Sequence, residues 1–112
     1  MNDYHEPLEQ MGQETHHMTQ ALNSLKEEIE AIDWYNQRLA VAENDSLKAI
    51  LEHNRNEEIE HACMAIEWLR RNMPMWDKHL HTYIFTVGDI TNQEPEAEPE
   101  DEASGLKIGK IK

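Results

Sequence analysis

Basic residues are scarce in this 112-residue chain. Lys and Arg together number 10 against 23 Asp and Glu, which gives a formal charge of −13 with neutral histidines. The segment 94–102 is strongly acidic, and the residues before it remain negative overall, so no basic face is left to bind a phosphate backbone. We therefore expect no nucleic-acid partner.

Cysteine and long apolar runs are also lacking. The single cysteine, Cys63, excludes an intrachain disulfide and a cysteine-rich zinc site, and it suits a reducing cytoplasm. Apolar runs such as 83–85 are far too short to span a bilayer, and the residues at the start of the chain form neither a basic region nor an apolar one. We expect neither a membrane anchor nor a signal peptide, and the length allows one small domain.

Glycine and proline are nearly absent from the centre of the chain. Gly12 is the only one of either between Leu8 and Met73, which leaves room for two long helices, and strand signals are nearly absent there. Mainly apolar residues recur at three- and four-residue spacing in two stripes. The first stripe comprises Leu8, Met11, Thr15, Met18, Leu22, Leu25, Ile29 and Ile32, and the second comprises Leu47, Ile50, Leu51, Asn54, Glu58, His61, Ala65, Trp68 and Leu69.

Local signals predict where the two long helices begin and end. The first should run from Pro7, a residue suited to the first turn, to Val41. At 1.5 Å per residue it would be about 50 Å long and would extend past its neighbour. Residues 43–46 predict a tight turn in which Asp45 or Ser46 caps the second helix.

The second helix should stop near Asn72, before Pro74, and a short third helix is expected over about 75–86. The fold class is therefore all-α: a two-helix antiparallel hairpin plus a short C-terminal helix. Such a hairpin leaves both apolar stripes with too little cover. Dimerisation into a four-helix bundle would supply the rest.

Residues 1–91 are expected to form the helical hairpin domain. Glu and Pro alternate in the residues that follow, and such a segment buries too little apolar surface to offset its chain entropy. We interpret 92–103 as an acidic disordered linker, which leaves 104–112 as a separate C-terminal peptide.

Glu58 and His61 lie in the middle of the second apolar stripe, where a carboxylate and an imidazole need partners. Their Glu-x-x-His spacing lets both side chains bind one metal ion from one helical face, as in di-metal carboxylate bundles. Glu28, at the edge of the first stripe, is the natural bridging carboxylate. A complete site uses two such motifs and two further Glu, so this chain encodes half a site that a twofold dimer would complete.

Mixed carboxylate and imidazole ligands suit iron or manganese, and ligand type alone leaves zinc open. The simpler alternative for Glu58 and His61 is a hydrogen-bonded acid and imidazole at a helical interface. His53, Glu57 and Glu60 share a flank of the second helix, as an auxiliary ion site or as a solvated acidic face.

On the outer face of the first helix, Glu27 and Glu30 flank Trp34. The two carboxylates could collect cations, or they could be surface charge while Trp34 packs against another subunit. Tyr35, like Trp68, is more often a packing residue than a redox partner.

The strings EEIEAIDWY at 27–35 and HNRNEEIEHA at 53–62 closely resemble the encapsulated ferritins, bacterial and archaeal ferritin-like proteins carried inside encapsulin nanocompartments. The resemblance extends from residue 5 to residue 86. It implies a ferritin-like four-helix bundle made by a homodimer, and five such dimers in a ring-shaped homodecamer. It also implies a ferroxidase, an enzyme that oxidises Fe(II) to Fe(III).

The same resemblance implies roles for particular residues. Glu28, Glu58 and His61 of both subunits would form the di-iron centre, with Tyr35 close to it as a further catalytic residue. Accessory metal positions are also implied, with calcium, manganese or zinc as alternative ions in the same or accessory sites. Glu27, Glu30 and Trp34 would mark an uptake site, and His53, Glu57 and Glu60 a secondary site.

The C-terminal peptide 104–112 is similar to the short segment that docks such cargo on the encapsulin shell, with Leu106, Ile108 and Ile111 as apolar anchors. The expected location is therefore the cytoplasm, inside an encapsulin nanocompartment where the iron is stored. Two other functions stay open. One is a protein that binds metal or oxygen without turnover, and the other is a structural helical cargo whose Glu58 and His61 only fix the dimer register.

Overall fold

The computed structural model describes residues 4–95 of the chain. Within that range there are three α-helices, two short 3-10 helices and no strand. The α-helices are α1, Gln13–Val41; α2, Asp45–Asn72; and α3, Pro74–Tyr83. Contacts from Glu28 to His61 and from Asn36 to Arg55 show that α1 and α2 run antiparallel. The predicted all-α hairpin with a short C-terminal helix is confirmed.

The predicted start of α1 at Pro7 is wrong. Pro7 instead precedes a 3-10 helix, Leu8–Gln10, after which Met11 and Gly12 are extended, with ψ of 144° and 168°. Because this extended pair interrupts the helical hydrogen bonds, α1 begins only at Gln13. It has 29 residues against 28 in α2, so the predicted overhang of one helix past the other does not follow from their lengths.

The cap of α2 also differs from the prediction. The side-chain oxygen of Asn44, rather than Asp45 or Ser46, accepts the Leu47 N–H at 3.0 Å, and it accepts the Ser46 hydroxyl at 2.9 Å. Asn is among the best N-cap residues because its short side chain reaches back to the free N–H groups of the first turn. The end of α2 at Asn72 is as predicted.

The chain divides into two compact units, Met1–Trp68 and Leu69–Lys112. The first unit buries few apolar side chains: among its described residues, Leu25 and Ala62 are the buried hydrophobic ones. Leu22, Ile29 and Ile50, all from the two stripes, are 40%, 54% and 57% exposed. A single copy of the hairpin therefore leaves much of both stripes uncovered, as the sequence predicts.

In the second unit, a buried charge ties α3 to the last turn of α2. Asp77 is 2% exposed, and its carboxylate accepts a hydrogen bond from the Arg70 guanidinium. His81 Nδ1 donates to the backbone oxygen of Asp77 at 2.9 Å. Burial of the acid is tolerated because the Arg70 guanidinium pairs with it in place of water, and His81 Nδ1 lies 3.4 Å from its Oδ1. The helix begins at Pro74, which occupies the first turn as expected for this residue.

Helix α3 ends three residues before the predicted limit, and Phe85 then adopts a left-handed φ of 62° that is uncommon outside glycine. Asn92, the predicted first linker residue, closes the second 3-10 helix, Ile90–Asn92. The rest of the predicted linker beyond residue 95 and the whole peptide 104–112 lie outside the described residues. No helix in the described part has an apolar stretch long enough to cross a membrane.

We predict that Asn44→Ala destabilises the chain by about 1 kcal/mol, because the Leu47 N–H loses its acceptor. Chemical denaturation of the native sequence and of this variant measures the difference. Asp45→Ala is the matched control and should cost less. A larger loss for Asp45→Ala than for Asn44→Ala would contradict the cap assignment.

Candidate metal centre

The middle of the hairpin brings together three predicted ligands from two helices. Glu28 comes from α1, and Glu58 and His61 come from successive turns of α2. His61 Nδ1 lies 3.6 Å from Glu28 Oε1 and 3.5 Å from Glu58 Oε1. One ligand atom from each residue can be chosen so that all three lie within 4.8 Å of one another, which is close enough to hold one metal ion.

These three side chains lie at the surface of the hairpin rather than deep inside it. The side chain of Glu28 is 23% exposed, that of Glu58 26% and that of His61 42%. An ion bound here by three protein atoms would keep coordination positions open, as a reactive metal site requires. The partial exposure of the three side chains would let water, a substrate or further ligands reach such an ion.

The pKa of the Glu28 carboxyl is raised above its usual value of 4.5. The main cause is a hydrogen bond with the Glu58 side chain, followed by burial and by repulsion from the Glu58 charge; the interactions with His61 act in the opposite direction. A hydrogen bond between two carboxyl groups requires a proton on one of them. A cation could take the place of that proton and neutralise the same charge.

The predicted secondary site of His53, Glu57 and Glu60 is only partly assembled. His53 Nε2 lies 3.7 Å from Glu57 Oε2, and both side chains are largely open to solvent. Glu60 is exposed on the same helix. Within residues 4–95, Glu28, Glu58 and His61 are the one trio of potential ligands close enough to share an ion. The structure therefore brings His53 and Glu57 together but does not assemble a three-ligand site with Glu60.

The predicted uptake residues lie on the exposed side of α1. Glu27 and Glu30 are exposed, and Trp34 is 52% exposed. Tyr35 is half-buried two turns after Glu28, and the Arg38 guanidinium lies over its ring at 5.3 Å from the centroid. Glu27 and Glu30 are therefore surface carboxylates near the exposed ring of Trp34.

Arg55 makes a polar contact between α1 and α2 that the apolar pattern of the sequence does not predict. It precedes Glu58 by one turn and donates from Nη1 to Asn36 Oδ1 of α1 at 3.1 Å. The spacing of apolar residues predicts which face of a helix is buried, but it does not predict polar contacts at the edge of that face. The one available clue is the i, i+3 spacing from Arg55 to Glu58.

Comparison with known proteins shows what the hairpin is. A family model described as EncFtn-like matches residues 3–87, more than half of the chain. The chain belongs to the EncFtn-like family. This confirms the resemblance to encapsulated ferritins that residues 27–35 and 53–62 indicate.

Two relatives of this EncFtn-like chain have names of the same kind. It is 49% identical over 108 residues to a "Ferritin-like protein" of Thermotoga maritima, a match that covers 96% of this chain and 95% of the relative. It is 53% identical over 90 residues to an "Encapsulated ferritin-like protein" of Rhodospirillum rubrum, covering 80% of this chain and 64% of that relative.

The crystal structure of protein ne0167 from Nitrosomonas europaea is similar to the EncFtn-like chain, with a TM-score of 0.78 at 48% sequence identity. That match covers 81% of this chain and 100% of the other. The likeness therefore extends over the helical hairpin and not only over residues 27–35 and 53–62.

We predict that Glu28→Gln leaves the metal-free chain at least as stable as the native sequence at neutral pH. The substitution removes carboxylate repulsion and keeps a hydrogen-bonding group beside Glu58. The gain should be at most about 1 kcal/mol, because the pair is partly open to water. Chemical denaturation in the presence of a chelator measures it.

The pH dependence of this effect has a definite sign. Because the folded-state pKa of Glu28 is raised, its favourable contribution is present below the usual value of 4.5 and is lost as the pH rises through the folded pKa. The native chain should lose stability relative to Glu28→Gln over that interval. Parallel stability profiles for the two proteins would contradict the shared proton.

Proposed function

We propose that this chain is a ferroxidase that oxidises Fe(II) to Fe(III) with dioxygen at a di-iron centre shared across a dimer interface. The observation that carries the proposal is the meeting of Glu28, Glu58 and His61 on one face of the hairpin. Membership of the EncFtn-like family and the ferritin-like names of two relatives support iron as the substrate.

The donor set fits iron. Two carboxylates supply hard oxygen donors and the imidazole supplies a nitrogen, a mixture that suits Fe(II) and Mn(II), with zinc and calcium as competing ions. Carboxylates also favour Fe(III) over Fe(II), because the added charge strengthens their attraction to the ion. A site that binds the product state more strongly makes the loss of an electron easier.

Each residue has a separate task in this proposal. Glu28 would hold both ions of the pair through its carboxylate, and the positive charge of the metal would favour the ionised form of that group. Glu58 and His61 would hold one ion from the next helix. Tyr35, two turns along α1, orients a ligand or limits access. The chemistry balances because two Fe(II) ions give two electrons, which with two protons reduce one dioxygen molecule to hydrogen peroxide.

The candidate centre of one hairpin contains one Glu-x-x-His motif, from Glu58 to His61, and one further Glu, Glu28, so a second copy is needed for two ions. The same second copy would cover Leu22, Ile29 and Ile50, which are exposed in a single hairpin. We propose a twofold homodimer with a four-helix bundle, and a ring-shaped homodecamer of five such dimers. The exposed apolar surface supports an interface of this kind.

The remaining predicted residues would serve iron traffic. The carboxylates of Glu27 and Glu30 beside Trp34 would collect Fe(II) at the surface. His53, Glu57 and Glu60 would form a secondary site where a further ion gathers before or after oxidation. Both roles suit exposed acidic side chains, since weak, water-accessible binding lets ions leave again.

The name of the Rhodospirillum rubrum relative supports an encapsulin compartment as the destination of the iron. We propose that 1–91 form the hairpin domain, that 92–103 form a linker and that 104–112 dock on the shell protein. In that arrangement the open ring oxidises iron and the shell stores it. The chain would then lie in the cytoplasm, inside the nanocompartment.

We predict that Glu28→Ala and His61→Ala each abolish rapid Fe(II) oxidation, because each removes a ligand from both copies of the shared centre. Stopped-flow absorbance of ferric iron after oxygen is admitted measures the rate. Glu43→Ala, which removes an exposed carboxylate from the loop before α2, is the control and should oxidise iron normally. Native rates in either ligand variant would count against the assignment.

Native mass spectrometry provides an independent prediction. Anaerobic Fe(II) should bind at two ions per dimer and should shift the population from monomer towards dimer, because an ion shared between copies stabilises their association. Glu43→Ala should behave like the native chain and His61→Ala should not. Repeated oxidation with excess iron supports an enzyme, whereas binding at that ratio without turnover would leave only a metal-sequestering protein.

A further inference from the structure

Arg55 joins the two long helices through a set of amide oxygens. Its Nη1 donates to Asn36 Oδ1 of α1 at 3.1 Å. Its Nε and Nη2 both donate to Asn56 Oδ1, the next residue of α2, at 3.2 and 3.1 Å. We call these three residues the Arg55 clamp.

The guanidinium is held in one orientation within this clamp. Because Asn56 Oδ1 accepts from two of its nitrogen atoms, the planar fork cannot turn freely, and Nη1 is directed at Asn36. Glu52 Oε2 lies 3.9 Å from Nη2 and adds a negative charge on the same helix. The Arg55 side chain is 28% exposed, whereas Asn36 and Asn56 are exposed, so water can reach the acceptor side of these hydrogen bonds.

The clamp lies about one turn from Glu58 along α2 and about two turns from Glu28 along α1. Arg55 precedes Glu58 by three residues, about 5 Å along α2, and Asn36 follows Glu28 by eight residues, about 12 Å along α1. The contact between Asn36 and Arg55 therefore spans the hairpin on one side of the ligands. It restrains sliding and rotation of α1 against α2 at that point.

Such a restraint is useful because the described part of the hairpin buries few apolar side chains. Leu25 and Ala62 are the buried hydrophobic residues of the described part of this unit. A slip of α1 by one residue would move Glu28 by about 1.5 Å along the axis and turn it by about 100°, away from its partners.

We propose that Arg55 is a positioning residue, which through Asn36 holds Glu28 in register with Glu58 and His61 so that the three ligands meet one ion. This inference rests on the proposed metal-binding function of the same site. Arg55 itself does not bind the ion, since a cation would repel it. Its contribution is to the alignment of the ligands before the metal arrives.

Lysine should not replace Arg55 in this role. A lysine ammonium is a single point of charge on a flexible stem, whereas the guanidinium has donors in a rigid plane that reach two amide oxygens at once. Arg55→Lys therefore keeps the charge and loses the geometry. The Arg55→Lys variant therefore distinguishes two effects of Arg55: alignment of the helices, which lysine would lose, and attraction between a positive charge and the acidic site, which lysine would keep.

The test measures Zn²⁺ affinity, with zinc as a redox-inert probe, by isothermal titration calorimetry of the full chain. The variants are Arg55→Ala, Arg55→Lys, Asn36→Ala and the double variant Arg55→Ala/Asn36→Ala. Gln37→Ala is the matched control, because Gln37 neighbours Asn36 but donates only within α1, to Asp33 Oδ2 at 3.1 Å. Circular dichroism confirms that each variant is folded at the temperature of the titration.

We expect Arg55→Ala and Asn36→Ala each to raise the Kd for Zn²⁺ by roughly tenfold, the scale of one charge-assisted hydrogen bond. The double variant should bind no more weakly than either single variant, because both remove the same contact. Arg55→Lys should not restore affinity, and Gln37→Ala should bind zinc as the native chain does. In Arg55→Ala and Asn36→Ala, the Fe(II) concentration that gives half the maximal oxidation rate should rise, while the rate at saturating iron changes little.

Several results would overturn the clamp. They are native zinc affinity in Arg55→Ala, full recovery in Arg55→Lys, an equal loss in Gln37→Ala, or additive losses in the double variant. If Arg55→Ala fails to fold, Asn36→Ala decides, because it removes the acceptor and keeps the arginine. Absence of zinc and iron binding by the native chain would instead remove the proposed function, and the clamp with it.

Discussion

The carboxyl groups of Glu28 and Glu58 lie side by side in the middle of a hairpin that buries few apolar side chains. The chemistry of the candidate site depends on this pair. A proton, an imidazole such as His61 or a cation between them would each relieve the repulsion between Glu28 and Glu58. In the metal-free chain His61 Nδ1 lies 3.6 Å from one carboxyl group and 3.5 Å from the other, and the pKa of Glu28 is raised, chiefly by its hydrogen bond with Glu58. A metal ion would neutralise the charge of the two carboxylates and so stabilise their arrangement. Such an acid pair is typical of a set of metal ligands.

The weakness of the hairpin core and the proposed incompleteness of its ligand set would have a common physical origin. A two-helix unit has only one face to bury, and here the middle of that face is occupied by Glu58 and His61 instead of apolar side chains. Ile29 and Ile50 consequently stay open to water in a single copy. In the proposed dimer one interface would both cover these residues and bring two ligand sets together, so stability and chemistry would depend on the same contact.

Periodicity predicted the parts of this structure that depend on burial. It identified both long helices, and it marked Glu58 and His61 as polar residues on an apolar face, where the structure places them beside Glu28. Helix starts were less predictable, because they depend on single local hydrogen bonds. The extended conformation at Gly12 and the cap at Asn44 each displaced a boundary, and neither leaves a trace in an apolar stripe.

The contact between Arg55 and Asn36 shows the same limit for the candidate site. Ligands can be inferred from residue type and spacing, but the register that lets them meet depends on contacts between chain segments that only a structure reveals. A site built between two weakly packed helices needs such a contact more than one built in a rigid core does, because its ligands move with the helices. Metal binding and helix alignment should therefore strengthen each other, since whatever holds the ligands in register favours the ion and the ion favours that register.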